Sequence, residues 1–255
     1  MEEKRVKIKN LNINFTEFKP AEKKGLFLIL HGWGSRAEKW RTVGELLAER
    51  GYRVIIPDLP GFGKSDKPKL IWGLDDYCDF VNELVRQLKL EKFYLLGHSF
   101  GGALAVKCSL KFPKKIDKLF LVGAACFRRK AIRKKIFYII AKVLKIFSFF
   151  PGYQTFRKGF YKFIVRKSDY PYAEGIMKDI YLKIIKEDLS DFLPLVQVPT
   201  IIIWGENDKI KSVREARLIN EAVRNSKLII IPRAGHSIYE NKLEEFFKAI
   251  LNSLK

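Results

Sequence analysis

A serine set between glycines is the residue in this chain best suited to nucleophilic chemistry. Ser99 occupies the centre of a G-x-S-x-G pattern at residues 97–101, after an apolar run at 93–98 and before a segment with helical character. A serine on so tight a strand-to-helix turn exposes its hydroxyl at the carboxyl edge of a sheet, and the helix N-terminus favours developing negative charge. The glycines provide the space that such a turn requires. We therefore predict that Ser99 is a nucleophile.

A serine nucleophile needs a general base, and the chain has three histidines. His98 adjoins Ser99 and should point elsewhere. His31 follows the first buried run, in an HGWG sequence that fits a loop whose backbone N–H groups face a developing oxyanion. His236 lies in the loop between the last apolar run and the final helical segment, which brings it to the same sheet edge as Ser99. We predict that His236 is the base.

The third member of such a site is an acid that orients the histidine. Asp208 lies just beyond the apolar run at 199–205, and Glu206 is its rival. We favour Asp208 because it lies farther from the end of the strand. No carboxylate follows the earlier run at 118–123 until Asp169. The resulting order of serine, aspartate and histidine differs from the orders in chymotrypsin and subtilisin.

Apolar runs and helical patterns alternate along the chain, which predicts a mainly parallel sheet covered by helices on both faces. Two N-terminal segments alternate apolar and polar residues, as an antiparallel pair of strands does. Gly51 is expected to end the first helix. The predicted buried strands are 26–31, 53–58, 93–98, 118–123, 199–205 and 227–232, and the predicted helices are 38–50, 74–89, 99–112, 212–224 and 240–254.

One long stretch, 126–195, contains no clear buried strand and several helical patterns. It is too long for an ordinary connection between two strands. We predict that it is a helical cap, or lid, inserted into a core made of residues 1–125 and 196–255.

Five motifs occur in the order typical of one family: HGWG, DLPGFGKSDKP, GHSFGG, WGENDKI and AGH. On these motifs the chain resembles the capped α/β-hydrolases, a group that includes carboxylesterases, lactonases, carbon–carbon bond hydrolases and cofactor-free haloperoxidases. The resemblance covers residues 26–125 and 196–255. It implies a mostly parallel eight-stranded sheet and a catalytic triad of Ser99, Asp208 and His236. It also implies an oxyanion hole formed by the backbone N–H groups of Trp33 and Phe100, with no metal or organic cofactor.

The expected activity is hydrolysis of carboxylic esters of small to medium acyl or aryl groups through an acyl-enzyme, so the expected partner is a small-molecule ester. A carbon–carbon bond hydrolase of ring-cleavage dienoates and a lactonase use the same triad, and both stay open. A non-catalytic receptor for a small ligand also stays open, although a receptor has no need of all three residues. Haloalkane dehalogenases and epoxide hydrolases of this fold carry aspartate where this chain has Ser99.

Other classes of site and location find less support. Residues 61–65 (GFGKS) resemble the end of a phosphate-binding loop, but Asp58 stands where that motif requires glycine. No His, Cys or Asp cluster has zinc spacing. The chain shows neither a signal peptide nor an apolar run long enough to span a membrane. Three cysteines without a CxxC pair favour a reducing compartment, so we expect a cytoplasmic protein.

The chain is strongly basic, with a formal net charge of +21, and about half of that excess lies in 126–195, which has sixteen Lys/Arg and six Asp/Glu. Residues 128–150 form an amphipathic pattern with lysines on one face. We favour a lid whose lysines face water. Peripheral contact with an anionic membrane through this basic cap stays open. An anionic substrate or nucleic acid is favoured less, and we do not expect nucleic acid.

Overall fold

The computed structural model describes residues 1–128 and 174–254. Strands and helices alternate along these residues. The strands are β1 (Glu2–Ile8), β2 (Leu11–Phe18), β3 (Gly25–Leu30), β4 (Tyr52–Pro57), β5 (Phe93–His98), β6 (Ile116–Val122), β7 (Thr200–Gly205) and β8 (Ser226–Ile231). The α-helices in these two ranges are α1 (Arg41–Glu49), α2 (Leu74–Gln87), α3 (Phe100–Lys111), α4 (Ile176–Ile184), α5 (Val213–Ala222), α6 (Ile238–Asn241) and α7 (Leu243–Asn252).

The eight strands form one sheet in the order β1-β2-β4-β3-β5-β6-β7-β8. The β1–β2 and β2–β4 pairs are antiparallel, and every other pair is parallel. The prediction of a mostly parallel eight-stranded sheet is confirmed. Because β5 is central and parallel to both of its neighbours, its carboxyl end, where Ser99 follows, opens at the middle of one sheet edge.

Helices cover both faces of this sheet. In β3, Leu26, Leu28 and Leu30 point to one side, where they join a core formed with α2, α3 and α5. Phe27 and Ile29 point to the other side, where α1 and α7 close a second core. A strand buried on both faces has to be apolar at every position, which explains the continuous apolar runs in the sequence.

Two predicted helices differ in detail from the observed ones. The predicted helix 38–50 is a 3₁₀ turn, Ala37–Trp40, followed by α1. The predicted helix 240–254 is interrupted at Lys242, which separates α6 from α7. Gly51 follows α1 with φ of +95°, in the left-handed region where glycine is favoured, as predicted for a residue that ends a helix.

The predicted cap lies largely outside the described residues, because 129–173 fall in the gap. Most of the amphipathic segment 128–150 lies there too. The boundaries 1–125, 126–195 and 196–255 and the contact with an anionic membrane therefore stay predictions. Helix α4 belongs to the described end of the predicted cap, and its Met177, Ile180 and Ile184 are buried against the core. No helix in the described part of the chain is long and apolar enough to cross a membrane.

Helix α1 approaches the sheet so closely that only glycine fits at one position. A Cβ atom on Gly44 would lie 2.5 Å from a ring carbon of the buried Phe18. Without that contact, Gly44→Ala would stabilise the helix by roughly 1 kcal/mol. We expect the clash to dominate, so Gly44→Ala should lower the free energy of unfolding by about 1–3 kcal/mol, measured by urea denaturation. Thr42→Ala, at an exposed position of α1, is the control and should cause little loss. A stabilised Gly44→Ala protein would contradict the described packing.

Candidate active site

Ser99 lies at the junction of β5 and α3 in a backbone conformation that side-chain-bearing residues rarely adopt. Its φ is 53° and its ψ is −112°. Such a conformation costs about 1–3 kcal/mol and persists only where the surroundings enforce it. Here the Ser99 N–H donates to the Val122 carbonyl at 2.9 Å, and the Ser99 carbonyl accepts from the Ala125 N–H at 2.9 Å. The neighbouring strand β6 and the residues after it therefore hold the turn in place.

The glycines on each side of this turn are required by close backbone approaches. A Cβ on Gly97 would lie 2.2 Å from the Gly101 carbonyl oxygen, and a Cβ on Gly101 would lie 2.1 Å from the Leu30 carbonyl oxygen. Neither backbone atom can move aside without shifting a strand or a helix. The glycines thus allow the turn to tighten between β5 and α3 beside the end of β3.

His236 and Asp208 form a direct hydrogen-bonded pair. The Nδ1 of His236 lies 2.7 Å from Oδ2 of Asp208. The other carboxylate oxygen, Oδ1, accepts from the N–H groups of Ile210 and Lys211, each at 2.8 Å. Burial would raise the pKa of Asp208, but the hydrogen bond from His236 and these two backbone donors outweigh it and hold the pKa below its ordinary value. The carboxylate is therefore charged and fixes the imidazole ring.

Glu206, the rival acid, points to a different group. Its Oε2 accepts the Arg233 N–H at 2.9 Å, and the residue is exposed. Its hydrogen bond fastens the loop after β8, which leads to His236. The geometry therefore brings Asp208, and not Glu206, to the histidine.

Ser99 and His236 line the same cavity, which has a volume of about 280 Å³. A second cavity, of about 240 Å³, also includes Ser99 and extends past Phe100 toward α4. Trp33 lines both cavities. The Ser99 side chain therefore lies where the two spaces meet, with His236 on one side and a mainly apolar wall on the other.

The two residues predicted to supply oxyanion donors lie beside Ser99. Neither the Trp33 N–H nor the Phe100 N–H donates a hydrogen bond to another described residue. The loop before Trp33 passes close to Ser99, since a Cβ on Gly32 would lie 3.4 Å from the Ser99 Cβ. Two backbone donors near the serine are thus left for an acceptor from outside the protein.

His31 fixes the loop that contains Gly32 and Trp33. The Leu59 N–H donates to its Nε2 at 2.9 Å, so the proton lies on Nδ1, which donates to the Gly32 carbonyl at 2.8 Å. Asp58 supports the same loop, because its Oδ1 accepts the Ala37 N–H at 2.7 Å. This role of Asp58 was not predicted, although a carboxylate directly after a buried strand is a signal that could have revealed it.

His98, which was predicted to point elsewhere, lines the same cavity as Ser99 and His236, and it has a contact that was not predicted. Its Nε2 lies 3.1 Å from the His236 carbonyl oxygen, so Nε2 carries the proton and donates. Its ring packs between Trp40 and Tyr239. His98 therefore ties the backbone of the His236 loop to the residue next to Ser99.

The described residues offer no cluster of three or more His, Cys, Asp or Glu side chains that could hold a metal ion. Ser99 and His236 line one cavity, Asp208 is hydrogen-bonded to His236, and the Trp33 and Phe100 N–H groups have no acceptor among the described residues. Such a set can carry out nucleophilic substitution at a carbonyl.

A family model described as the alpha/beta hydrolase fold matches residues 25–163, which is more than half of the chain. The chain belongs to the α/β-hydrolase fold family. The recognition made from the five motifs is therefore confirmed at the level of the family. Members of this family are hydrolases, and that coarse activity applies to this α/β-hydrolase as well.

Individual relatives of this α/β-hydrolase have different activities. Lipase 3 of Moraxella sp. is 27% identical, over 82% of this chain and 70% of its own. A 2-hydroxy-6-oxo-6-phenylhexa-2,4-dienoate hydrolase of Comamonas testosteroni is 25% identical, over 89% of this chain and 87% of its own. The solved structure of an esterase from Exiguobacterium antarcticum superposes with a TM-score of 0.75, with 24% identity and 98% of each chain covered.

The two buried histidines predict a loss of stability in mild acid. Burial lowers the pKa of His31 to about 4 and that of His98 to about 3, below the ordinary value of 6.5. The unfolded chain therefore binds these protons first as the pH falls. Stability should be fully present above pH 6.5 and decline toward pH 4, by up to about 1.4 kcal/mol per pH unit for each imidazole.

Urea unfolding between pH 7.5 and 4.5 measures this slope. His98→Gln removes one titrating group and keeps a donor for the His236 carbonyl, so its slope between pH 5 and 6.5 should be shallower than that of the unchanged protein. Equal slopes in the two proteins would show that His98 is not a buried neutral imidazole.

Proposed function

We propose that this protein is a serine hydrolase that cleaves carboxylic esters of small to medium acyl or aryl groups through an acyl-enzyme. The proposal rests above all on one observation, the strained turn that holds Ser99 in a cavity shared with His236, whose Nδ1 is hydrogen-bonded to Asp208 at 2.7 Å. A turn of this kind is costly, and such strain is typical of functional sites; here it coincides with a histidine and a carboxylate that a binding site alone does not require.

In the proposed first step, the Ser99 Oγ attacks the ester carbonyl carbon while Nε2 of His236 takes the hydroxyl proton. Nδ1 of His236 is already bonded to Asp208, so Nε2 is the nitrogen free to act as base. The carboxylate stabilises the imidazolium that forms. The carbonyl oxygen becomes an oxyanion, and the N–H groups of Trp33 and Phe100 stabilise it.

The tetrahedral intermediate then collapses. The carbon–oxygen bond to the alcohol breaks, the alcohol leaves with the proton from His236, and the acyl group stays on Ser99. Water attacks this acyl-enzyme with His236 again as base, which releases the acid and restores the serine. The N-terminus of α3 lies at Ser99, so its dipole favours the negative charge in both steps. The mechanism uses no metal or organic cofactor.

A second candidate is carbon–carbon bond cleavage of a dienoate. The relative from Comamonas testosteroni carries a dienoate in its name and is covered over most of its length, which favours this candidate. The esterase and lipase relatives favour the ester substrate in the same way. Both reactions would use the same triad, and we favour the ester because an alcohol is a better leaving group than a carbanion.

The first test is the loss of the proposed nucleophile. Ser99→Ala should lower kcat for p-nitrophenyl esters by at least about 10³-fold and abolish labelling by a fluorophosphonate probe, because no other group replaces the hydroxyl. Ser212→Ala, at an exposed serine before α5, is the matched control and should keep both activity and labelling. Circular dichroism checks that both variants are folded. Labelling that survives in folded Ser99→Ala would disprove the proposal.

A second test separates the two acids. Asp208→Asn removes the charge that orients His236 and should lower kcat by about 10³- to 10⁴-fold with little change in KM. Glu206→Gln makes the same chemical change two residues away, at a carboxylate bonded to the Arg233 N–H, and should alter kcat by less than about tenfold. Steady-state kinetics on one p-nitrophenyl ester measures both. The reverse ranking would transfer the orienting role to Glu206.

A further inference from the structure

The cavity between Ser99 and α4 combines an apolar wall with positive charge. Its volume is about 240 Å³, and Trp33, Phe100, Tyr181 and Ile184 contribute aromatic and aliphatic surface. Two cationic side chains, Arg128 and Lys211, also line it, and no carboxylate from residues 1–128 or 174–254 does. An apolar body with an anionic group is the kind of molecule that complements such a cavity.

Arg128 is anchored at the cavity edge beside Glu187 and Asp188, whose charges attract it, but neither carboxylate forms an ion pair with its guanidinium. Its backbone N–H donates to Oδ2 of Asp188 at 2.8 Å, and its Nε donates to the Glu187 carbonyl oxygen. No carboxylate among the described residues comes within ion-pair distance of the guanidinium, and its Nη2 is buried without an acceptor. The anchoring contacts therefore leave the buried Nη2 of a half-buried cation without an acceptor.

A buried donor on a charged group is costly to leave unbonded, more so than a donor on a neutral group. A guanidinium is planar, and its parallel N–H groups match the two oxygens of a carboxylate. Lys211 has its own contact, with Glu215 at 3.7 Å, and adds positive charge to the same wall. The missing acceptor is therefore most simply supplied by an anionic group that enters the cavity.

We propose that Arg128 is a specificity-determining residue that binds a carboxylate on the substrate, separated by an apolar or aryl spacer from the carbonyl that Ser99 attacks. The inference rests on the proposed function, since it assigns a substrate class to the same site. The carboxylate belongs either to the acyl part or to the leaving alcohol, according to which part enters this cavity.

Two matched pairs of esters test the proposal and show whether the bound carboxylate belongs to the acyl part or to the leaving alcohol. For the acyl side, p-nitrophenyl hydrogen adipate is compared with p-nitrophenyl hexanoate. For the leaving-group side, 4-acetoxybenzoate is compared with phenyl acetate. In one pair, the charged ester should have the higher kcat/KM. Arg128→Gln should lower kcat/KM for that charged ester by about 10- to 100-fold and change the neutral partner by less than about threefold.

Two further variants control for charge and for folding. Arg86→Gln makes the same substitution on the exposed face of α2, where Arg86 pairs with Glu83. In each pair it should leave the ratio of kcat/KM for the charged ester to kcat/KM for the neutral ester unchanged. Arg128→Lys keeps the charge and should restore part of the preference. If Arg128→Gln lowers kcat/KM equally for charged and neutral esters, Arg128 only stabilises the local structure through its contact with Glu187, and the proposal is overturned. Hydrolysis of both pairs without a preference for the charged ester overturns it as well.

A binding experiment keeps this inference separate from the proposed chemistry. Titration calorimetry on the Ser99→Ala variant, which needs no turnover, should show benzoate binding at least about tenfold more tightly than benzamide, and Arg128→Gln in that background should remove the difference. If the ester assays show no Ser99-dependent hydrolysis but benzoate binding depends on Arg128, the proposed function fails and the anion site stands. Equal binding of benzoate and benzamide overturns the anion site alone.

Discussion

The close packing around Ser99 is the constraint on which the rest of the site depends. The turn from β5 to α3 tightens until Gly97 touches the Gly101 carbonyl and Gly101 touches the Leu30 carbonyl. A non-glycine residue then keeps a left-handed backbone only because strand β6 holds its N–H and carbonyl from the side. The turn is thus held by the centre of the parallel sheet, and the loops with Trp33 and His236 are arranged around it.

The three histidines have different tasks because they have different surroundings. Burial keeps His31 and His98 neutral, and each uses a ring N–H to hold a carbonyl, of Gly32 and of His236 respectively. Both carbonyls belong to loops that border Ser99. His236 instead meets a charged carboxylate, which fixes its ring and leaves its Nε2 for proton transfer in the proposed mechanism. Two imidazoles therefore position the surroundings in which the third is proposed to react.

Most of the fold could be predicted from the sequence because strands, helix ends and tight turns depend on residues that are close together along the chain. Apolar runs predicted the buried strands, Gly51 predicted the end of α1, and the glycines at 97 and 101 predicted the turn at Ser99. Of the two neighbouring carboxylates, Asp208 contacts His236 and Glu206 contacts the Arg233 N–H, and the preference for Asp208 rested on its distance from the strand end. Arg128 was counted only as one basic residue among sixteen, because its neighbours Glu187 and Asp188 lie about sixty residues later and no periodic pattern connects them. The role of Asp58 was not predicted for a similar reason, since it depends on Ala37.

The reacting groups and the wall of the cavity opposite them are held in the fold by different kinds of contact. The proposed nucleophile, base and oxyanion donors are held by the sheet edge, where close backbone contacts allow little variation. The wall opposite them is formed by α4 and Arg128, which come from the chain on either side of the residues 129–173 and are joined to the core mainly by side chains. Side-chain packing tolerates exchange far better than backbone contact does. A change of specificity in this chain should be sought at Arg128 and along α4 before any residue of the sheet edge is altered.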